Sequence, residues 1–365
     1  MELNINQITL AWLNSVNGIS NGKIAKLIEY FKTSENLWEN FCSEKLNLAS
    51  LNQNMINQLT KIKDEFPELL MKKLKDENAS LITYFDEKYP KNLKNIDGFP
   101  YVLYCKGNLD ALDNISIAVV GSRKATSYGK FTAEKFTREL SVLGVTIISG
   151  LASGIDSVAH KTAIANNTKT IGVIGCGIDI IYPKKNESLY SDIVASGGAV
   201  ITEFPFGMEP VPANFPIRNR IISGLSNGVL VIEAQEKSGT LITAGHAADQ
   251  GKEIFAVPGN IDSLFSKGTN ALIKDGAKLV TCIDDIIDEI LELKSMVKVE
   301  KNKFSLSFNQ NELKIIDILK TGSKSIYEIT ENIDMEISDI LSTLTVLEMK
   351  NVVKQMSGKK FYLVL

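Results

Sequence analysis

The sequence predicts an α/β protein built on an extended Rossmann-like, doubly wound parallel sheet, with a helical domain before it and a winged-helix domain after it. Two observations support this prediction: apolar runs alternate with helical stretches in the middle of the chain, and three helical stretches followed by a hairpin pattern end it. The expected boundaries are a helical domain at 1–75, a Rossmann-like domain at 80–292, a polar and basic linker at 294–309 and a winged-helix domain at 310–365.

The first segment, 1–75, is expected to form short helices. Leu27, Ile28 and Phe31 follow helical spacing after the glycine-containing turn at 17–22. A Gly-Ile-Ser turn that leads into a helix is typical of SAM-like and helix-hairpin-helix modules, so a small SAM-like bundle is predicted. No motif in this segment indicates chemistry.

The middle segment contains nine apolar runs that predict strands. Its central runs are continuously apolar, as in strands that are buried on both faces of a sheet. Helical stretches such as Tyr128–Leu143 and Ile217–Leu225 lie between them. Right-handed crossovers then place every strand-to-helix loop at one edge of the sheet. The predicted strands are Leu81–Phe85, Tyr101–Cys105, Ser116–Val120, Val145–Ser149, Thr170–Ile174, Ala199–Glu203, Gly228–Glu233, Glu253–Val257 and Lys278–Thr281.

The tail from residue 310 predicts a winged helix. Helices are expected at about 311–320, from Ser325 onward, and at about 336–350. Ser325 is a good N-cap, and Glu328 three residues later completes a capping box. The residues that follow predict a hairpin that turns at Ser357-Gly358. Three helices and a hairpin in this order are typical of a winged-helix domain.

The composition predicts a globular protein without a generally basic surface. Lys and Arg total 40 against 43 Asp and Glu, for a net charge of -3, so a polyanionic partner has to be bound by a local patch. The chain has only four Arg residues: Arg123, Arg138, Arg218 and Arg220. One explanation is a general preference for Lys over Arg. The other is that these four positions require a planar, bidentate donor, which Lys cannot replace.

The ends and the reactive residues predict a reduced, cytoplasmic protein. No basic and apolar leader begins the chain and no apolar run approaches about 18 residues, so neither a signal peptide nor a membrane span is expected. The four Cys residues are far apart. With His160 and His246 as the only histidines, a catalytic triad or zinc cluster is poorly supplied. Walker A and complete G-x-G-x-x-G motifs are absent, so no cofactor, metal or enzymatic activity is predicted.

Small residues follow four of the predicted strands and indicate a phosphate-binding rim. In an open parallel sheet, ligands bind at the carboxyl ends of the strands. Small residues let backbone N–H groups approach a phosphate, and the next helix N-terminus adds partial positive charge. One such loop suits any tight turn, whereas four at equivalent places favour a binding site. The four stretches are Gly121–Thr126, Ser149–Asp156, Gly175–Gly177 and Glu236–Thr240.

Cations lie at the same edge. Arg123 and Lys237 belong to two of these loops, whereas Arg218 and Arg220 are expected in the first turn of a helix that opens near Pro216. Salt bridges at helix ends are the alternative role for these cations. Because Arg218 and Arg220 are two residues apart, they cannot share one helix face, and one of them is expected to be structural. Arg138, within a long helix, is expected to be a solvated surface residue.

Aromatic residues interleave with these cations. Tyr128 follows Arg123, and Phe215 precedes Arg218 in a Pro-rich stretch that favours a site role. Phe204 suits the core and the site equally. Tyr182-Pro183-Lys184-Lys185 follows another strand and adds charge. Bases stack on aromatic rings while cations follow phosphates, which is how proteins hold single strands without reading base pairs.

Several motifs of the middle segment together resemble the DNA-processing DprA/Smf family. They occur in the family's order and cover about residues 80 to 280. The SAM-like and winged-helix flanks fit that family too, although they vary among its members. The matching stretches are Tyr89–Leu93, Val102–Gly107, Gly121–Arg123, Ser149–Asp156, Thr202–Pro205, Asn214–Leu225, Lys237–Ala244, Val257–Gly259, Gly268–Ile273 and Gly276-Ala277.

This resemblance implies a single-stranded DNA-binding protein of natural transformation that protects incoming DNA, binds as a homodimer and loads a RecA-type recombinase. By motif, the contacts with the strand fall to Ser122, Arg123, Asn214, Phe215, Arg218, Lys237 and Thr240. Close approach of the backbone to the strand falls to Gly121, Gly150, Gly154 and Gly239. Arg220 and Ser238, which lie in the same motifs, complete the expected DNA-binding set.

Two rival functions remain open at this point. Nucleotide phosphoribohydrolases resemble this fold and use the motif P-G-G-x-G-T-x-x-E. Here Gly239-Thr240 match the motif, but Thr243 stands at the position of its Glu. Only Glu203 or Glu233 is left to replace that carboxylate.

The second rival is a transcription factor that acts through the tail. Acidic residues on the third tail helix argue against base reading and favour a protein-interaction or weakly DNA-binding tail, with some backbone contact left to a basic wing of Lys354, Lys359 and Lys360.

Overall fold

A computed structural model of the protein describes residues 3–41, 51–297, 308–350, 352–356 and 360–363. The chain divides into two compact units, residues 1–291 and 292–365. The predicted N-terminal helices and the predicted Rossmann-like segment both fall in the first unit. The boundary predicted between these two segments stays a prediction.

The first unit is built on a nine-stranded sheet in the order β1-β2-β6-β5-β4-β3-β7-β8-β9. Strands β3 to β9 pair in parallel, whereas β2 pairs antiparallel with β6 and with β1. All nine predicted strands are present. Their bounds are β1 (Ser80–Thr83), β2 (Val102–Gly107), β3 (Ser116–Val120), β4 (Thr146–Ser149), β5 (Thr170–Val173), β6 (Ala199–Thr202), β7 (Gly228–Val231), β8 (Glu253–Ala256) and β9 (Lys278–Leu279).

Helices cover both faces of this sheet, as a doubly wound Rossmann-like fold requires. Antiparallel pairing of β1 with β2 suits the connection between them, which holds a single helical turn and no full crossover helix. The helices are α1 (Ile5–Asn14), α2 (Asn21–Phe31), α3 (Ser34–Glu39), α4 (Gln53–Ile62), α5 (Phe66–Asp76), α6 (Lys91–Lys94), α7 (Ser127–Val142), α8 (Ile155–Ala165), α9 (Glu187–Ala195), α10 (Asn214–Leu225), α11 (Gly239–Asp249), α12 (Lys267–Lys274) and α13 (Asp284–Ile287).

Helix α10 begins three residues earlier than predicted. It starts at Asn214, so Pro216 is its third residue and Phe215 lies on the helix, where the sequence had suggested a Pro-rich loop. Proline is tolerated there because the first N–H groups of a helix have no intrahelical partner. Arg218 and Arg220 consequently lie in the second turn of α10, not in its first turn.

The N-terminal helices pack against the sheet. Trp12 of α1 is fully buried, and its indole N–H donates to the backbone oxygen of Leu59, 3.1 Å away. The same apolar core includes Tyr101 and Tyr104 from the edge of the sheet. The helical segment therefore shares its core with the sheet, which is why it belongs to the first unit.

The second unit has the helices and hairpin that the tail predicted. A three-stranded antiparallel sheet has the order β10-β12-β11, and its first strand was not anticipated from the sequence. Ser325 and Glu328 form the predicted capping box. The predicted turn at Ser357-Gly358 and Lys359 lie outside the described residues. The elements are α14 (Gln310–Leu319), β10 (Lys324–Ser325), α15 (Ile326–Glu331), α16 (Ile337–Met349), β11 (Val353–Met356) and β12 (Lys360–Leu363).

Within the described ranges, no helix is both long enough and apolar enough to cross a bilayer. Cys105 and Cys176 are buried free thiols and Cys282 is an exposed one, whereas Cys42 lies outside the described residues.

His160 of α8 is fully buried, and its tautomer follows from its neighbour. Its Nδ1 lies 2.7 Å from the hydroxyl of Thr170, which itself donates to the carbonyl of Ile147 at 2.8 Å. Because that hydroxyl proton is already used, Nδ1 carries the imidazole proton and donates it to Thr170. Nε2 has no partner in the described part of the chain. Burial lowers the pKa of His160 from 6.5 to about 3.

This burial predicts acid sensitivity. A histidine with a depressed pKa in the folded state stabilises the fold above its unfolded pKa of 6.5, and that stability is lost as the pH falls toward 3. His160→Asn retains an N–H donor for Thr170 and removes the titration. The free energy of unfolding, measured with urea at several pH values in this range, should then change less steeply with pH in the variant. The difference from the wild type should be about 1.4 kcal/mol per pH unit. Equal slopes for both proteins would contradict the assignment.

Candidate nucleic-acid interface

The carboxyl edge of the sheet opens into a cleft of about 600 Å³. A hollow of about 100 Å³ adjoins it and shares Arg123, Tyr182, Phe215 and Arg218 with it. The loops after β3, β4 and β7 and the first turns of α10 and α11 supply the walls. Of the predicted DNA-binding residues, the cleft is lined by Gly121, Ser122, Arg123, Phe215, Arg218, Ser238, Gly239 and Thr240, and the hollow also by Gly150.

An aromatic ring with two guanidinium groups close to it forms the centre of this site. Phe215 and Arg218 are three residues apart on α10 and therefore share one face of the helix. The guanidinium carbon of Arg123 lies 5.2 Å from the centre of the Phe215 ring, and that of Arg218 lies 6.0 Å from it. The ring of Tyr182 lies 5.6 Å from the same ring. These are the distances of cation–π and aromatic contacts.

Arg218 forms the floor of the cleft and is almost fully buried. Its Nη1 donates to the carbonyl of Gly150 at 2.8 Å and to the carbonyl of Val173, at the ends of two adjacent strands. Burial lowers the pKa of Arg218 to about 10, although the carboxylate of Asp156 opposes this shift. The guanidinium stays charged at neutral pH and places a fixed positive charge beneath the cleft.

Asp156 on α8 lies beside this guanidinium. Burial raises the pKa of Asp156, whereas Arg218 and the backbone N–H of Ala152, 3.3 Å away, lower it. A Cβ atom at position 150 would lie 2.7 Å from both Arg218 Nη2 and Asp156 Oδ2. Gly150 is therefore needed so that the buried side chains of Arg218 and Asp156 can approach the backbone at the end of β4.

The other predicted glycines have different surroundings. A Cβ on Gly121 would lie 2.6 Å from Ile155, and one on Gly154, whose φ is +84°, would lie 2.2 Å from the carbonyl of Ser122. These two glycines serve the packing of loop against helix. Gly239, in contrast, has open space where its Cβ would be, so its backbone is open to a ligand.

Four predicted residues lie outside the cleft lining. The side chain of Asn214 donates to the carbonyl of Gly175 at 3.1 Å and is buried. Lys237 is exposed in the loop before α11. Arg220 forms an ion pair with Glu203, so Arg218 is the arginine of α10 that lines the cleft. Gly154 lies behind the first loop, as described above.

The N-terminus of α7 is occupied by the protein's own groups. Glu233 accepts a hydrogen bond from the backbone N–H of Thr126 at 3.0 Å and another from its hydroxyl. The Thr126 hydroxyl in turn accepts from the N–H of Gly129 at 3.1 Å. The partial positive charge of this helix end is thus compensated internally, so the cations and not this helix end supply the positive potential there.

Sequence reasoning did not include Tyr182 in the site. The residue is exposed and lines both the cleft and the hollow. In the sequence, the Tyr-Pro-Lys-Lys stretch stands out for its charge, yet Lys184 and Lys185 do not line the cleft. An aromatic residue directly after a strand end was the available signal. Arg138, as predicted, is on the surface, where it pairs with Glu134 one helical turn away.

A charged, aromatic cleft at the carboxyl edge of a Rossmann-like sheet defines a nucleotide- or nucleic-acid-binding α/β protein. Residues 80–291 match the model of the DNA recombination-mediator protein A family. Because this match covers more than half of the chain, the protein belongs to that family, the DprA/Smf family.

Curated relatives and solved structures agree with this assignment. The chain is 45% identical over 217 residues to protein Smf of Escherichia coli, covering 60% of this chain and 58% of that relative. It is 45% identical over 204 residues to the DNA processing protein DprA of Streptococcus pneumoniae, covering 56% of this chain and 72% of the relative. The chain thus spans less than two thirds of the Escherichia coli protein.

Two solved structures have the same fold. The X-ray structure of DprA from Streptococcus pneumoniae aligns with a TM-score of 0.69 and 36% identity, over 80% of this chain and 99% of that one. DprA from Helicobacter pylori, whose structure concerns its single-stranded DNA binding mode, aligns with a TM-score of 0.53 and 31% identity, over 59% of this chain and 96% of that one.

Proposed function

We propose that the cleft binds single-stranded DNA, and that the protein protects incoming DNA in natural transformation. The observation that carries this proposal is the Phe215 ring, which has the guanidinium groups of Arg123 and Arg218 within cation–π distance and the ring of Tyr182 beside it. Unpaired bases can stack on such rings while the cations contact phosphates; in a duplex the base faces are already stacked on one another. The Helicobacter pylori relative, for which single-stranded DNA binding is described, supports this choice.

We further propose that the protein acts in the cytoplasm as a homodimer and delivers the strand to a RecA-type recombinase. The family description as a recombination mediator supports a role beside such a recombinase.

The tail supports a protein partner more than a DNA partner. On α16, Ile337 and Leu341 are exposed and four residues apart, so they are neighbours on one face. This face offers apolar contact and no cation for base edges.

We propose that the cleft does not catalyse glycosidic cleavage. Thr243 lines the cleft where the nucleotide phosphoribohydrolases that this fold resembles have a glutamate. Among the residues that the structure describes, Asp156 is the one carboxylate in the lining, and it is engaged with Arg218 and the Ala152 N–H. Incubation with AMP should release no adenine above the buffer rate. Release that Asp156→Asn abolishes would instead favour the enzyme alternative.

The decisive experiment compares labelled oligo-dT with a duplex of equal length by fluorescence anisotropy. Salt is varied from about 50 to 200 mM, because phosphate contacts release counterions and make the logarithm of affinity fall linearly with the logarithm of salt. Tight binding of oligo-dT with a clear salt slope, and much weaker duplex binding, is expected. Equal affinity for both forms at every salt concentration would contradict the proposal.

A further inference from the structure

An exposed aromatic pair on α7 lies outside the cleft lining. Tyr128 is 52% exposed and Phe131 is 68% exposed. They are three residues apart and therefore adjacent on one face of the helix. The hydroxyl of Tyr128 donates to the carbonyl of Pro258, 3.1 Å away, in the loop after β8. Large apolar rings left open in this way are typical of binding surfaces, because burying them in the core would be favourable.

This pair continues the cleft along the chain. Arg123 and Lys124 line the cleft and lie in the short loop that leads into α7. Lys124 forms no salt bridge with any residue that the structure describes, so its ammonium group is available for phosphates. Two cations therefore precede the two rings, in the loop that connects the cleft to α7.

The spacing of the rings suits a strand of nucleic acid. Three residues advance about 4.5 Å along a helix, which is comparable to the roughly 3.4 Å between neighbouring bases of one strand. The nearby carboxylate of Glu134 is neutralised by Arg138. Resting on the proposed function of the cleft, we propose that single-stranded DNA leaving the cleft continues over the first turns of α7, where its bases stack on Tyr128 and Phe131.

The alternative occupant of this surface is a protein, such as a second copy of the chain. Phe131→Leu separates a DNA occupant from a protein occupant, because it preserves apolar area for a protein contact and removes the ring on which a base stacks. Phe131→Trp preserves stacking. Val142→Ala is the matched control, since Val142 is 77% exposed at the far end of the same helix.

The test measures anisotropy with a short oligo-dT of about six nucleotides, which the cleft can hold alone, and a long one of about twenty. Phe131→Ala and Phe131→Leu should bind the short oligonucleotide as the wild type does and the long one about ten-fold more weakly. Phe131→Trp and Val142→Ala should resemble the wild type with both. Because Phe131 is exposed, the variants should fold normally, and their thermal unfolding should match that of the wild type.

The outcomes separate this inference from the proposed function. Wild-type affinity of Phe131→Ala for the long oligonucleotide would overturn the extended path. Retained affinity of Phe131→Leu, with loss in Phe131→Ala, would overturn it in favour of a protein occupant. Failure of the wild type to bind either length, or wild-type binding by Arg123→Ala at both lengths, would instead remove the cleft as the DNA site.

Discussion

Arg123→Ala is expected to weaken oligo-dT binding about ten-fold or more at moderate salt, whatever the length of the oligonucleotide. The exposed guanidinium of Arg123 lies 5.2 Å above the Phe215 ring and lines both cavities of the cleft. Its loss removes a phosphate contact and the cation–π contact with the Phe215 ring. The salt dependence should also become shallower by about one unit of slope, as for the loss of one phosphate contact.

Two further variants define the origin of this effect. Arg123→Lys keeps the charge and loses the planar contact with Phe215, so an affinity between wild type and alanine variant is expected. Arg138→Ala is the matched control with the short oligonucleotide that the cleft holds alone, because it removes an exposed arginine that pairs with Glu134 on the surface of α7, outside the cleft lining. If the two alanine variants lose equal affinity, general charge and not the cleft holds the DNA.

Arg220→Met is expected to lower the free energy of unfolding by about 3–5 kcal/mol. The Arg220 and Glu203 side chains are only 12% and 8% exposed, with 2.5 Å between Nη2 and Oε2. The Glu203 carboxylate also accepts from the side chain of Asn21 at 2.9 Å, which joins α2 to the end of β6. Removing the arginine leaves a buried carboxylate without its counter-charge. Urea unfolding measures the loss.

The pH dependence of this variant has a defined sign. Burial raises the pKa of Glu203, and the Arg220 guanidinium opposes that rise. Without the guanidinium, the pKa of Glu203 in the folded state rises further above its ordinary value of 4.5. The folded variant then holds the protonated carboxyl at low pH, and its free energy of unfolding decreases as the pH rises above 4.5 and the carboxyl has to ionise. A second change, Glu203→Gln, should recover part of the stability at neutral pH, because the two sites are coupled.

The control for this effect is Lys88→Ala, which breaks a surface ion pair with Asp110 whose side chains are 68% and 73% exposed. Such pairs contribute little, so a change below about 1 kcal/mol is expected. Equal effects of Lys88→Ala and Arg220→Met would contradict a structural role for the buried pair. Folded Arg220→Met protein should bind oligo-dT nearly as the wild type does, because Arg220 lies outside the cleft lining.

Most of the fold could be predicted because the strands are continuously apolar. Runs such as Ser116–Val120 are buried on both faces, and their bounds were correct to within two residues for every strand of the sheet. The start of α10 could not be predicted, since Pro216 is acceptable at either the first or the third helical position. The antiparallel direction of β2 depends on its pairing with β6, which no local pattern encodes.

The location of the site could be predicted from the sequence, but the role of each residue within it could not. The spacing of Arg218 and Arg220 indicated that only one could face the cleft. The choice between them depends on distant groups: the carbonyls of Gly150 and Val173 bind Arg218, whereas the Glu203 carboxylate binds Arg220. Tyr182 was left out of the site because only the folded loop brings its ring beside Phe215.

The placement of the four arginines makes this chain suitable for selective chemical labelling. Arg218 is buried and Arg220 is enclosed in an ion pair, so a dicarbonyl reagent such as phenylglyoxal should modify the exposed guanidinium groups of Arg123 and Arg138. In a chain whose other cations are lysines, that reagent becomes a probe of two positions, one in the cleft and one outside its lining. Peptide mapping with and without oligo-dT would then report occupancy of the cleft directly, in the unaltered protein.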